Sequence, residues 1–151
     1  MTRGSIKLDV RDGVARITMA RAEKHNAFDD LLIGELTSVF ERVARDDAVR
    51  VVVLAGEGKS FSAGADLGWM QRMADYSEVE NLADARQLAT MMQTLNDMPK
   101  PTVAQVQGAA IGGGVGLVAA CDIAVASQDA SFCLSEVRLG LIPAVISPYV
   151  V

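Results

Sequence analysis

Apolar and polar residues alternate at the start of the chain, over residues 6–10 and again over residues 15–19. The two alternating segments flank Asp12 and Gly13, a pair that readily adopts the positive φ angles of a tight turn. Period-two patterning around such a pair predicts a β-hairpin with one buried face. We therefore expect the chain to begin with two paired strands.

The next pattern has the spacing of a helix. Apolar residues recur every three or four positions from Leu32 to Val43, which predicts a helix with one buried face. Asn26 is a suitable N-cap for this helix, and Asp29 and Asp30 would lie near the positive end of its dipole. The β-branched run over residues 49–55 then predicts a strand buried on both faces of a parallel sheet.

Strands and helices continue to alternate along the rest of the chain. Residues 69–97 predict one or two helices, which end at the following prolines. The further elements are predicted strands at 102–106, 122–126 and 131–134, a helix at 115–121 and the start of another helix within the apolar residues 141–151. This order predicts an α/β fold with a mostly parallel sheet flanked by helices, in a single domain over residues 1–151.

Composition narrows the classes of function. Half of the 151 residues (50%) are hydrophobic, and the net charge is −5 with no run of Lys or Arg. An acidic chain without a basic stripe predicts no nucleic-acid partner. The apolar stretches fall short of the roughly 20 residues of a membrane span, and no signal peptide is evident, so we expect no membrane association. With only Cys121 and Cys133, we expect a cytoplasmic protein.

Several short segments resemble known functional motifs but lack a residue that the motif requires. Residues 58–60 (Gly-Lys-Ser) lack the earlier glycine of a phosphate-binding P-loop, and Ser62 lacks the preceding glycine of a nucleophile elbow. Residues 112–117 lack the third glycine of a dinucleotide fingerprint. His25 is the sole histidine and stands in a polar loop with no evident partner, so we expect it to be solvated. One histidine and two cysteines also predict no transition-metal site.

Two loops of small residues form the candidate functional site. Residues 63–66 and 112–114 each lie between a predicted buried strand and a predicted helix. Small residues allow a sharp bend and a close approach of a ligand to backbone N–H groups. If the loops meet, two amides could hold one oxygen between them, which is an oxyanion hole. The alternative, that the glycines serve close packing of helices against strands, stays open at this point.

Five segments in order resemble the crotonase superfamily of enoyl-CoA hydratases and isomerases over nearly the whole chain. They are RAEKHNA at 21–27, FSAGADL at 61–67, PKPTVAQVQGAAIGGG at 99–114, CDIAVA at 121–126 and SEVRLGLIP at 135–143. The resemblance implies a crotonase-like core of ββα units, an acyl-CoA thioester substrate, no further cofactor, and a homotrimer or hexamer. Residues 112–122 and 135–150 most resemble hydratases of methylglutaconyl type, which act on branched or carboxylated acyl-CoAs.

The resemblance also implies roles for individual residues. The amides of Ala65 and Gly113 would bind the thioester carbonyl oxygen, and Glu136 would be the catalytic carboxylate. The implied CoA-binding residues are Lys24, Asn26, Ala27, Ala63, Gly64, Asp66, Leu67, Gly68 and Gly112.

One position departs from the hydratases of this family, which generally carry a second glutamate two residues after the triple glycine. This chain has Gly116 there. Hydration of a 2-enoyl-CoA in fatty-acid or branched-chain catabolism is our first hypothesis, and isomerisation by Glu136 alone is the alternative. A second alternative is a non-catalytic CoA-binding or assembly module, because the chain stops before the C-terminal helices of the family. The net charge disfavours RNA binding, a property of one branch of the family.

Overall fold

The computed structural model describes residues 4–151, which form two β-sheets and five helices. The strands are β1 (Ile6–Arg11), β2 (Val14–Met19), β3 (Val51–Gly56), β4 (Thr102–Val106), β5 (Ala109–Ile111), β6 (Ile123–Ala126) and β7 (Ser131–Cys133). The helices are α1 (Asp30–Arg45), α2 (Leu67–Ala74), α3 (Glu78–Asn96), α4 (Gly113–Ala119) and α5 (Ser147–Val150). Short 3₁₀ turns cover Ala22–Lys24 and Glu136–Leu139.

The main sheet has the strand order β1-β2-β3-β4-β6, and all its neighbouring pairs except β1–β2 are parallel. β1 and β2 form the predicted hairpin, with Asp12 and Gly13 at φ angles of 52° and 83°. Helices lie in the connections between the parallel strands, as parallel pairing requires. The predicted α/β architecture with a mostly parallel sheet is confirmed.

A second, smaller sheet pairs β5 with β7 in parallel. The sequence analysis did not predict β5, because its three residues between Gly108 and Gly112 are too few to show a period. The strand exists through its partner: Ala109, Ala110 and Ile111 pair with residues 131–133. This pairing brings the glycine cluster at 112–114 next to the segment that follows β7.

Helix α1 buries the apolar face that its spacing predicted. The predicted N-cap is wrong: Asp29, not Asn26, precedes the first helical residue and accepts a hydrogen bond from the Leu32 amide at 2.9 Å. Asn26 stands three residues earlier with φ 52°, too far from the helix to cap it. Lys100 holds the other end of α1 by donating to the Val43 carbonyl at 2.6 Å.

Residues 67–96 form two helices. Ser77 and Glu80 form a capping box that starts α3 separately from α2. Val79 and Leu82 are exposed, because the contact of α3 with the core begins only at Leu88. The buried residues of α3 are Met91, Met92 and Leu95.

The remaining elements differ from prediction by a few residues. β3 is shifted to residues 51–56, α4 begins two residues before its predicted start, and β6 and β7 are each one residue shorter. The apolar residues 141–151 include a short helix, α5, preceded by a turn at 144–146. None of the helices within residues 4–151 is long and apolar enough to cross a membrane.

Candidate active site

The loop that follows β3, residues 57–66, is held to its neighbours through its backbone. Ser62 pairs with Ala110 of β5 as in a short parallel ladder. Phe28 forms a second bridge: its amide donates to the Gly64 carbonyl and its carbonyl accepts from the Asp66 amide, both at 2.7 Å. The loop is thereby fixed between β5 and the segment that precedes α1.

The bridge to Phe28 sets the direction of the Ala65 amide. In a parallel ladder the groups on either side of the bridging residue bond to the partner strand, and its own N–H points to the other side. The Ala65 N–H therefore points away from Phe28, and no atom of residues 4–151 accepts a hydrogen bond from it. Ala65 is exposed and lines a cavity, so its amide is available to a ligand.

Gly113 offers a second amide on the neighbouring loop. It is the first residue of α4, where N–H groups have no acceptor within the helix, and no described residue accepts from it. Gly112 has φ 50° and ψ −115°, a conformation that favours glycine, and its amide donates to the Cys133 carbonyl at 2.8 Å. A Cβ added at Gly64 would lie 3.7 Å from the Gly113 nitrogen, so the two loops are in contact.

The carboxyl group of Glu136 lies beside the same loops. The pairing of β7 with β5 places Glu136 there, at the first position of the 3₁₀ turn Glu136–Leu139. A Cβ added at Gly112 would lie 2.9 Å from Oε1 of Glu136. Oε2 is buried and has no hydrogen-bond partner within the described chain. A buried carboxylate oxygen without a partner is unfavourable for folding alone, which points to a functional group.

A cavity of about 320 Å³ joins these groups. The predicted site residues that line it are Ala63, Gly64, Ala65, Leu67, Gly112, Gly113 and Glu136. The rest of its wall is mostly apolar, and its residues are Phe28, Trp69, Met70, Met73, Leu88, Ile111, Ser135, Leu139 and residues 141–146. An apolar wall lowers the local dielectric constant and strengthens the hydrogen bonds that the two amides can give.

Lys24 and Asp66 lie outside the lining of this cavity. They pair with each other, with Nζ of Lys24 3.2 Å from Oδ2 of Asp66. The hydrogen bond from the Trp69 amide lowers the pKa of Asp66, and the Lys24 ammonium lowers it further. Asp66 thus caps α2 as a carboxylate.

Asn26, Ala27 and Gly68 also lie outside the cavity lining, and Asn26 is fully buried. Its side-chain nitrogen lies within hydrogen-bonding distance of three carbonyls of the 57–66 loop, those of Glu57 (2.9 Å), Ser60 (3.0 Å) and Phe61 (3.2 Å). The structure therefore brings Ala65, Gly113 and Glu136 together at the cavity. The Asn26 side chain instead holds the 57–66 loop in position.

His25, Cys121 and the exposed Cys133 are further reactive side chains near these elements. The expectation that His25 has no partner is wrong, because its Nδ1 lies 3.1 Å from the Ser60 hydroxyl, although the residue is exposed. Burial raises the pKa of Cys121 to about 12, so its thiol is protonated at neutral pH and is a poor nucleophile. Residues 4–151 contain no group of three His, Cys, Asp or Glu placed to hold a metal ion.

Sequence reasoning missed the wall that α2 contributes. Trp69, Met70 and Met73 all line the cavity from this helix. Their spacing of three and four residues is that of one helix face, and this was the signal that could have identified them. The two methionines of this wall allow it to adapt to apolar groups of different shape.

The space next to Gly116 is filled. A Cβ added there would lie 2.9 Å from Cβ of Ile146 and 3.1 Å from Cε of Met92. Ile146 is itself almost fully buried and lines the cavity. A larger side chain at position 116 would therefore have to displace Ile146.

Comparison with known proteins gives consistent matches. Residues 9–151 match a family model described as enoyl-CoA hydratase/isomerase. The enoyl-CoA hydratase AKT6-1 of Alternaria alternata is 40% identical over 141 residues, which cover 92% of this chain and 45% of that protein. The mitochondrial Delta(3,5)-Delta(2,4)-dienoyl-CoA isomerase of Dictyostelium discoideum is 33% identical over 147 residues, covering 91% of this chain and 50% of the isomerase. The chain spans about half the length of the curated relatives it matches.

A solved structure extends the likeness to three dimensions. The crystal structure of an enoyl-CoA hydratase from Shewanella pealeana matches with a TM-score of 0.95 at 51% identity. The match covers 97% of this chain and 55% of the crystallised one. The fold described above is therefore shared with that protein along almost all of the present chain.

Proposed function

Since the chain belongs to the enoyl-CoA hydratase/isomerase family, we propose that the complete natural protein is an acyl-CoA-processing enzyme that stabilises the enolate of a thioester. The crotonase fold expected from the sequence is confirmed by the solved structures that it matches. Hydration of a 2-enoyl-CoA is the reaction we propose first, because several relatives carry the name enoyl-CoA hydratase.

One observation carries the proposal: two amides without acceptors and one carboxylate oxygen without a partner among residues 4–151 face a single cavity. The amides of Ala65 and Gly113 would donate to the carbonyl oxygen of the thioester. Their hydrogen bonds strengthen as negative charge develops on that oxygen, which stabilises the transition state more than the ground state. Loss of one such donor typically lowers turnover by about 10²–10³-fold.

In hydration, Glu136 would act first as the base and then as the acid. Its carboxylate accepts a proton from a water molecule while the water oxygen bonds to the β-carbon. The electron pair of the C=C bond moves towards the α-carbon and the thioester oxygen. Glu136 then returns a proton to the α-carbon, so one water has been added across one double bond.

The surroundings of Gly116 favour isomerisation as a second candidate reaction. Ile146 occupies the space next to this position, and Glu136 is the one carboxylate among the described residues that line the cavity. A single carboxylate suffices to remove a proton from C2 of a 3-enoyl-CoA and to return a proton at C4. The double bond then moves into conjugation with the thioester carbonyl.

The substrate we propose carries an apolar, linear or branched acyl group. The wall of α2 and residues 141–146 fits hydrocarbon, and the described lining residues include no Lys, Arg or His to pair with a carboxylate. A carboxylated group of methylglutaconyl type would therefore need a cation from outside this lining. The CoA-binding roles implied by the resemblance, a homotrimer or hexamer, a cytoplasmic location and the absence of nucleic-acid partners stay predictions.

The test is an assay of the complete natural protein with linear, branched and carboxylated enoyl-CoA thioesters. Loss of the absorbance of a conjugated 2-enoyl thioester would support hydration, and its appearance from a 3-enoyl-CoA would support isomerisation. Acyl-CoA binding without turnover of any of these thioesters would contradict the enzyme and leave a CoA-binding module.

The variant Glu136→Gln tests the assigned base. We expect turnover to fall by about 10²–10⁴-fold, the usual contribution of a general acid or base, with little change in the affinity for a saturated acyl-CoA. Glu41→Gln, on the exposed face of α1, is the matched control and should keep full activity. Full activity in Glu136→Gln would refute the role of this carboxylate.

A further inference from the structure

We propose that Ser62 is a positioning residue, whose buried hydroxyl fixes the 57–66 loop so that the Ala65 N–H faces the cavity. The inference rests on the proposed function, since it concerns the amide that would bind the thioester oxygen. Ser62 is fully buried and lies outside the cavity lining, so it acts through its neighbours and does not touch the substrate.

The Ser62 hydroxyl uses both its donor and its acceptor capacity. It donates to the Asn26 carbonyl at 2.9 Å and accepts from the Gly64 amide at 3.2 Å. Asn26 and Gly64 are buried as well, so water does not replace these bonds. One side chain thus joins the segment before α1 to the turn that carries the Ala65 amide.

The Ser62 hydroxyl accepts the Gly64 amide, so this amide is not available to a ligand in place of the Ala65 amide. Within residues 62–66, the amides of Ser62, Ala63 and Asp66 donate to backbone carbonyls of Ala109, His25 and Phe28. The Gly64 amide has only the Ser62 hydroxyl as an acceptor in the described chain. Because Gly64 has φ 81° and no side chain, the Ala63–Gly64 peptide would turn more readily without this bond, which would leave the bridge to Phe28 as the remaining constraint on the turn. With the bond, the Ala65 N–H is the one amide of residues 62–66 that has no acceptor in the described chain.

The acceptor of the Ser62 hydroxyl is itself held in place. The side-chain nitrogen of Asn26 contacts the three carbonyls of the 57–66 loop described above, and its Oδ1 accepts from the Arg21 amide at 2.9 Å. The Asn26 carbonyl therefore has a fixed position against which the Ser62 hydroxyl aligns the loop. Such support of a donor by neighbouring groups is what keeps a site in its productive geometry.

Three variants of the complete natural protein test the proposal. Ser62→Ala removes the hydroxyl, Ser62→Cys keeps its shape with a weak hydrogen-bonding group, and Ser60→Ala is the matched control. Ser60 is a buried serine of the same loop, and its hydroxyl contacts His25. We expect Ser62→Ala to lower kcat by about tenfold or more, Ser62→Cys to lie between, and Ser60→Ala to stay within about twofold, with KM little changed.

A spectroscopic measurement separates positioning from a general loss of stability. A bound saturated acyl-CoA with a ¹³C-labelled carbonyl should show a lowered C=O stretching frequency when two amides polarise it. We expect a smaller lowering in Ser62→Ala, while binding of the thioether analogue, in which CH₂ replaces the carbonyl, is unchanged. If Ser62→Ala fails to fold, Ser62→Cys provides the same readout.

The possible failures are distinguishable. If the wild-type protein is active and folded Ser62→Ala has the same kcat and the same carbonyl frequency, only the role of Ser62 is overturned. A wild-type protein that binds acyl-CoA without turnover would overturn the proposed enzyme, and the carbonyl frequency would still decide on Ser62. A wild-type protein that shows no lowered frequency would overturn both.

Discussion

The two parts of the candidate site are held in different ways. The amide loops, residues 57–66 and 109–113, form backbone ladders with each other, and further backbone bonds join them to His25, Phe28 and Cys133. The carboxylate segment, residues 134–146, makes mainly local bonds, such as those from the Arg138 amide to Ser135 and from the Leu141 amide to Glu136. Its apolar residues Val137, Leu139, Leu141 and Ile142 are all exposed in the described chain.

This difference matches the tasks that we propose for the two parts. Donors that stabilise developing charge act best when their direction is fixed before the reaction. A carboxylate that takes a proton at one atom and returns it at another needs some freedom of its side chain. The amide loops are therefore expected to tolerate changes much less well than the carboxylate segment.

The largest expected effect comes from comparing one glycine in each part. Gly64→Ala would place a Cβ 2.7 Å from the Ile111 carbonyl oxygen at φ 81°, whereas Gly140→Ala at φ 70° meets nothing within 4 Å among residues 4–151. We expect the free energy of unfolding to fall by about 3 kcal/mol for Gly64→Ala, from strain and overlap, and by about 1 kcal/mol for Gly140→Ala, from strain alone. Urea unfolding measures both values.

The same pair should differ in turnover. Gly64→Ala moves the Ala65 amide, so we expect kcat to fall by about 10²-fold, the cost of losing one oxyanion donor. Gly140→Ala should keep kcat within about threefold, because the added Cβ meets no described atom within 4 Å and Glu136, at the start of this turn, need not move. Equal losses of turnover in the two variants would contradict the contrast between the parts.

A second prediction concerns Asp29, a carboxylate that has several partners, whereas Oε2 of Glu136 has none in the described chain. Oδ1 of Asp29 lies 2.6 Å from Nη1 of Arg21 and accepts from the Leu32 amide. Burial raises the pKa of Asp29, but the hydrogen bonds from Arg21 and Leu32 and the charge of Arg21 outweigh it, so the pKa lies below its usual value. Asp29→Asn keeps the N-cap and removes the ion pair, and we expect a loss of about 2 kcal/mol at pH 7.

The pH dependence of this loss has a defined sign. A carboxylate whose pKa is lowered by folding stabilises the fold above the unfolded value, near pH 4, and this stabilisation disappears as pH falls through the folded value. The difference in unfolding free energy between wild type and Asp29→Asn should therefore shrink below about pH 4. Asp30→Asn, whose ion pair with Arg72 is half exposed, is the matched control and should cost less than about 1 kcal/mol. A difference that is constant from pH 3 to 7 would contradict the ion pair.

Local patterns predicted much of the fold and the positions that meet in the site. Small residues between a strand and a helix indicated the two loops, and the resemblance indicated Ala65, Gly113 and Glu136 within and beside them; all three line one cavity. The contacts that hold them were not predictable, because Asn26 and Ser62 are 36 positions apart and nothing local reports their bond. The short strand β5 and its pairing with β7 were missed for the same reason.

The smallest expected effect concerns the cavity wall formed by α2, where a side-chain hydrogen bond joins α2 to α3. Nε1 of Trp69 donates to Oδ2 of Asp84 at 3.1 Å, and Trp69 is almost fully buried. Trp69→Phe keeps an aromatic ring in the wall, so we expect a loss of only about 1 kcal/mol and, for a branched acyl-CoA, a KM raised about twofold with kcat unchanged. Combining it with Asp84→Ala should cost less than the sum of the single changes, since both break the same bond. Additive costs would mean that this hydrogen bond does not join α2 to α3 and that packing alone holds the wall.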